Sequence, residues 1–74
     1  MTPTRTRDEH LAWAKARALR YLDAGNLQEA FTSMASDLTK HPDLKYSEAV
    51  MTMGLMWLIN HDAYNLRRWI EGFQ

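Results

Sequence analysis

The chain has 74 residues, 46% of them apolar, with nine basic and nine acidic side chains and no Cys. That length gives one domain whose core hides little more than about 60% of the unfolded surface. The missing Cys excludes disulfides and thiolate-bound metals and fits a reducing, intracellular setting, while a net charge of zero lacks the basic footprint usual in nucleic-acid binders.

In chain order, residues 1–6 are polar and read as a flexible N-terminal arm of a single helical domain covering 1–74. They hold no hydrophobic segment of the kind a signal peptide needs. Thr6, Arg7, Asp8 and Glu9 have the capping-box form, with Glu three residues after Thr. The first helix is therefore predicted from about Arg7 to Ala24. Its inward stripe is Leu11, Ala14 or Lys15, Ala18 and Leu22, flanked by Leu19 and Tyr21. Gly25 ends it, because glycine takes the left-handed conformation without steric cost.

Asn26 to Glu29 reads as a second capping box, with Asn as the cap. The second helix carries Leu27, Ala30, Phe31, Met34 and Leu38 on one face, and His41 before Pro42 disfavours its continuation. The third helix starts near Asp43 or Ser47 and runs to about Asn60. Asn60, His61 and Asp62 make the next break, with Asp62 as N-cap. The fourth helix covers Ala63 to Glu71, turns Leu66, Ile70 and Phe73 inward, and stops at Gly72. No alternation of period two is long enough to predict a strand.

The third helix contains the run Val50 to Ile59, in which eight of ten residues are apolar. A helix apolar nearly all round is expected to be buried on most sides. The expected architecture is thus all-α, a compact four-helix bundle with the third helix central. On that view an aspartate at Met53 or Leu55 blocks folding, because an unpaired charge would be buried. The run is short of the ~20 residues that span a bilayer, so a soluble, cytoplasmic protein is expected.

Residues 11–42 resemble a single tetratricopeptide-type helical hairpin, since Tyr21, Ala30 and Pro42 fall at that motif's spacing and Met34 stands at its Phe position. Ala14, Arg17 and Ala18 replace its Trp, Leu and Gly, and residues 45–74 do not repeat the pattern. The resemblance therefore implies a generic hairpin rather than a repeat array. A second resemblance covers most of the chain, in segments between residues 18 and 73. The segments Ala18 to Leu27, Ser36 to Pro42 and Arg67 to Phe73 look like small accessory proteins of actinobacterial tailed phages. That resemblance implies a non-structural accessory protein working in a bacterial cytoplasm by binding a host or phage macromolecule. It carries over no functional residue.

No catalytic motif is present. Ser33, Ser36 and Ser47 lack a nucleophile elbow, and there is no phosphate loop, dinucleotide fingerprint or paired-carboxylate motif. His10, His41 and His61 share no metal-ligand spacing and are assigned to the surface or to caps. The expectation is no enzyme, no cofactor and no metal.

Binding is the remaining class. Residues 1–20 carry Arg5, Arg7, Lys15, Arg17 and Arg20 against Asp8 and Glu9, while residues 21–48 carry five acidic residues against Lys40 and Lys45. Trp57 is read as core, whereas Trp13 and Trp69 lie off the main stripes and beside arginines. Trp and Arg are enriched at binding hot spots. The candidate partner-binding residues are therefore Trp13, Arg17, Arg20, Arg67, Arg68 and Trp69. The expected function is non-enzymatic protein–protein interaction with a host or phage protein, together with a homodimer in which the fourth helix is the first choice of contact and the first helix the second. The alternative is a nucleic-acid-associated regulator using the basic face of the first helix, Arg5, Arg7, Arg17 and Arg20 meeting phosphates and Trp13 stacking on bases.

Overall fold

A computed structural model describes residues 6–74, and among these the chain forms four α-helices and no strand. Helix α1 spans Arg7–Asp23, α2 Leu27–Thr39, α3 Glu48–Ile59 and α4 Ala63–Glu71. Arg5 and the rest of the expected arm up to residue 5 lie outside the described residues, and Thr6 is the cap of α1 rather than part of an arm.

The caps follow from local hydrogen bonding. Thr6 Oγ1 accepts from the Glu9 N–H and Glu9 Oε1 accepts from the Thr6 N–H, both at 3.2 Å, which completes the predicted capping box. Asn26 occupies the second N-cap but makes no side-chain cap bond, so that box does not form. Ser47 caps α3 by accepting from the Val50 N–H at 3.3 Å, which decides between the two predicted starts. Asp62 caps α4, accepting from the Asn65 N–H at 3.1 Å and from its side-chain amide at 2.8 Å. These bonds, the side-chain one foremost, lower the Asp62 pKa from its ordinary value. The carboxylate's share in the cap is therefore present at neutral pH and lost as the pH falls through that lowered range.

Gly25 ends α1 at φ 81°. Its N–H donates to Leu22 O and the Asn26 N–H donates to Tyr21 O, each at 2.9 Å, the bond pair of a Schellman motif. Space around the Gly25 Cα is open, so a side chain there meets only the backbone cost of φ > 0. Gly25→Val is expected to lower stability by about 1–2 kcal/mol, read as a lower thermal midpoint. The end of α3 repeats the motif with a histidine in glycine's place. His61 has φ 54°, its N–H donates to Leu58 O at 3.0 Å, and the Asp62 N–H donates to Trp57 O at 2.9 Å.

Packing starts with α1 and α2. Ala14, Ala18 and Ala30 are fully buried, and side chains this small let two helices approach closely. Leu11, Leu22, Met34 and Leu38 fill the space beside them, and α4 closes the core with Leu66, Trp69, Ile70 and the following Phe73. Leu44, in the loop before α3, joins the same cluster.

Helix α3 is not central. It packs on α2 and α4 and does not reach α1. Gly54 is its only buried residue, with Val50, Met51, Trp57 and Leu58 half-buried on the same side. On the opposite side Met53 is 53% exposed, Leu55 41%, Met56 54% and Ile59 65%. An apolar circumference drives burial, but the fully buried cluster is built by α1, α2, α4 and Leu44, and α3 adds only its inner side, with Val50, Met51 and Trp57 packed against it. The expectation that aspartate at Met53 or Leu55 blocks folding falls with the central placement. No helix of the described residues is long and apolar enough to cross a membrane.

Candidate interaction surface

Two places gather side chains beyond what the core requires: a polar cluster between α1, α2 and the loop after α2, and the outer face of α3.

The polar cluster forms because a helix stripe continues past its apolar members. His10 stands four residues before Ala14 on α1, and Ser33 and Asp37 follow Ala30 on α2 at helical spacing. All three are buried, as is His41. The His10 Nε2–H donates to the Asp37 backbone carbonyl at 2.6 Å, and the Asp43 N–H donates to His41 Nδ1 at 3.1 Å. The two imidazoles lie 5.3 Å apart, and His10 also packs on the Trp13 ring at 5.4 Å. Asp37, only 1% exposed, takes Arg17 at 3.5 Å and Lys40 at 3.3 Å on the same Oδ1. Its Oδ2 is buried and accepts no hydrogen bond among the described residues.

These groups join α1 to α2 and fix the loop that follows. Ser33 Oγ donates back to Ala30 O at 3.3 Å, a bond internal to its own helix. Among the described residues no group of three His, Cys, Asp or Glu side chains is placed to hold a metal ion. The assignment of all three histidines to surface or cap is corrected for His10 and His41; only His61 is exposed.

The predicted partner-binding residues divide. Trp13 is half-buried, with the Arg17 guanidinium 5.5 Å above its ring. Arg17 thus spans from that ring to the buried Asp37 carboxylate. Arg20 is exposed on the same helix. Arg67 pairs with Asp23, which raises its pKa further from an already high ordinary value. Arg68 is exposed and lies 5.8 Å over the Tyr64 ring. Trp69 turns inward, so the view that it lies off the buried stripe is corrected. Its ring stacks on Phe31 at 5.5 Å and meets Phe73 edge-on at 4.8 Å. Its Nε1–H donates to Val50 O at 2.9 Å. A Cβ on Gly54 would sit 2.5 Å from the indole, so the missing side chain at Gly54 is what lets α4 insert its tryptophan against α3. Trp69 is the clamp that fastens α3 to the fold.

With Trp69 turned inside, the surplus apolar surface is the outer face of α3. At 3.6 residues per turn, Ala49, Thr52, Met53, Met56 and Ile59 fall on one side and Leu55 at its margin. An open groove lined by Ala49, Thr52, Met53, Met56 and Trp57 runs along the helix. A second groove lies between α3 and the start of α2, lined by Leu27, Phe31, Leu55, Leu58, Ile59 and His61 among others. Between Glu48 and Asp62 the chain carries no Asp, Glu, Lys or Arg. Single exposed apolar residues are ordinary; four large ones on adjoining turns of one short helix make a contiguous patch of the kind that marks interaction sites. Sequence reasoning placed these residues in the core, and their excess over what three short helices cover was the available signal.

Compared with known proteins, the chain matches no family model, no curated protein and no solved structure.

Proposed function

We propose that the protein is a small, non-enzymatic accessory protein that acts by binding another protein through the outer face of α3. The observation that carries this reading is the uncharged apolar surface of Met53, Leu55, Met56 and Ile59, left open after the core is complete. Methionine suits such a role, because its unbranched, polarizable side chain adapts to a partner's shape. The proposal includes a phage-encoded origin and action in the cytoplasm of a bacterial host, which rest on the resemblance read from residues 18–27, 36–42 and 67–73 alone.

The nucleic-acid reading draws less support. Arg17 is drawn to Asp37 and Arg67 to Asp23, and Arg17 covers the Trp13 face that would stack on a base. Arg20 and Arg68 are left exposed on different helices.

Photo-cross-linking in bacterial cells tests the proposal. A photoactivatable residue placed at Met56 is expected to give discrete protein adducts, and the same probe at Arg20 is not. Identical adduct patterns from the two positions, or none from Met56, would overturn it.

A further inference from the structure

We infer that the occupant of the α3 face is a second copy of this chain, packed antiparallel about a two-fold axis that crosses the outer face at the level of Gly54 along the helix. The inference rests on the reading of that face as a binding surface and adds the identity of the partner. Three features of the face itself point to it.

Side-chain size comes first. Towards its ends the outer face pairs small with large: Ala49 and Thr52 lie on the N-terminal side of Gly54 and Met56 and Ile59 on the C-terminal side, all four exposed, while the large Met53 and Leu55 flank the centre. Antiparallel pairing about Gly54 sets Ala49 opposite Ile59 of the partner subunit and Thr52 opposite Met56 of the partner subunit. Large side chains then fill the space that small ones leave, which is how facing helices interdigitate. Parallel pairing would set Ile59 against Ile59 of the partner subunit and leave a gap at Ala49.

Charge comes second. Lys45 and Glu48 precede the face, and His61 and Asp62 follow it. Antiparallel pairing brings Lys45 towards the helix end where the Asp62 carboxylate of the partner subunit caps its own α4, and it separates Glu48 from Glu48 of the partner subunit. It also opposes the two helix dipoles, positive end to negative end. Parallel pairing would stack Glu48 on Glu48 of the partner subunit.

Composition comes third. The face between those ends carries no Asp, Glu, Lys or Arg, and interfaces between identical subunits are the apolar class, with charges depleted from their centre. A two-fold axis is also the commonest symmetry of soluble oligomers. This placement moves the expected dimer contact from α4 and α1 to α3, because Trp69 is occupied inside the subunit.

The chain has no Cys, so introduced cysteines report pairing cleanly. Ala49→Cys and Ile59→Cys are made in separate chains, oxidised alone and as a mixture. The mixture is expected to yield at least tenfold more disulfide-linked dimer than either variant alone. In the antiparallel arrangement Ala49 lies about 15 Å along the axis from Ala49 of the partner subunit, beyond the roughly 7 Å that a disulfide spans between Cα atoms. Sedimentation equilibrium of the unmodified chain is expected to show twice the monomer mass as concentration rises. In the double variant Met56→Asp/Ile59→Asp, association weakens at least tenfold. Monomer mass at every concentration, or cross-linking of Ala49→Cys by itself, would overturn the inference. A monomeric chain that still gives adducts from Met56 with a different protein would overturn the second copy and leave the binding face standing. An absence of any adduct would remove both.

Discussion

Met34→Asp is expected to abolish folding. Met34 lies on α2 with no exposed surface, inside the cluster that α1, α2 and α4 build together. The substitution removes a buried side chain whose burial contributes about 1.5–3 kcal/mol. It also places a carboxylate where desolvation costs several kcal/mol more. A chain of 74 residues has about 4–11 kcal/mol of stability in total, so the loss exhausts it. Circular dichroism is expected to show no cooperative melt. A native melt would mean that α2 does not bury Met34, and the core would have to be redrawn.

Trp69→Ala is expected to cost about 3–5 kcal/mol, the range for deleting a large aromatic from a core. The ring is 9% exposed and touches three separate parts of the chain: Phe31 on α2, Gly54 and the Val50 carbonyl on α3, and Phe73 beyond α4. Its removal leaves a void between these parts and takes the donor away from Val50 O. At about 4–8 °C per kcal/mol in a domain this small, the thermal midpoint falls by more than about 10 °C. Because Trp69 fastens α3, amide exchange in α3 is expected to rise ahead of exchange in α1 and α2. A loss below about 1 kcal/mol would mean that the indole is a surface group, as its place beside Arg67 and Arg68 in the sequence suggested.

Those two residues mark where sequence reading succeeds and where it stops. The four helices, the Gly25 turn and the Thr6 and Asp62 caps were legible because each depends on a few neighbouring residues. So were the buried faces built on Leu11, Ala18 and Leu22, on Ala30, Met34 and Leu38, and on Leu66 and Ile70, which follow a 3.6 period. Helix α3 misled because it is apolar all round, and a pattern without a polar side cannot say which side turns in. Trp69 misled for a related reason. Its inward turn depends on Gly54, fifteen residues earlier in sequence, leaving room for the indole. The buried polar cluster was partly legible, since His10 and Asp37 extend the stripes of their helices. Polarity argued for solvent, and the tertiary bonds that His10 and Arg17 make across to Asp37, with a local one from Lys40, outweighed it.

The candidate binding residues divide along the same line. Arg17 and Arg67 lie near acidic partners far away in sequence, Asp37 and Asp23, and no local pattern shows such pairs. The surface that remains open was hidden in the sequence by its own hydrophobicity. It became visible only once the rest of the chain was seen to close a core without it.

On this reading the outer face of α3 serves binding and not folding. The thermal melt of Met56→Asp/Ile59→Asp, followed by circular dichroism at a dilution where the unmodified chain is monomeric, tests it most directly. A cooperative helical melt is expected, with a midpoint within a few degrees of the unmodified chain at the same dilution, since exposed substitutions away from special features change stability by about 0.5 kcal/mol or less. Loss of the cooperative melt would contradict it and return α3 to the core.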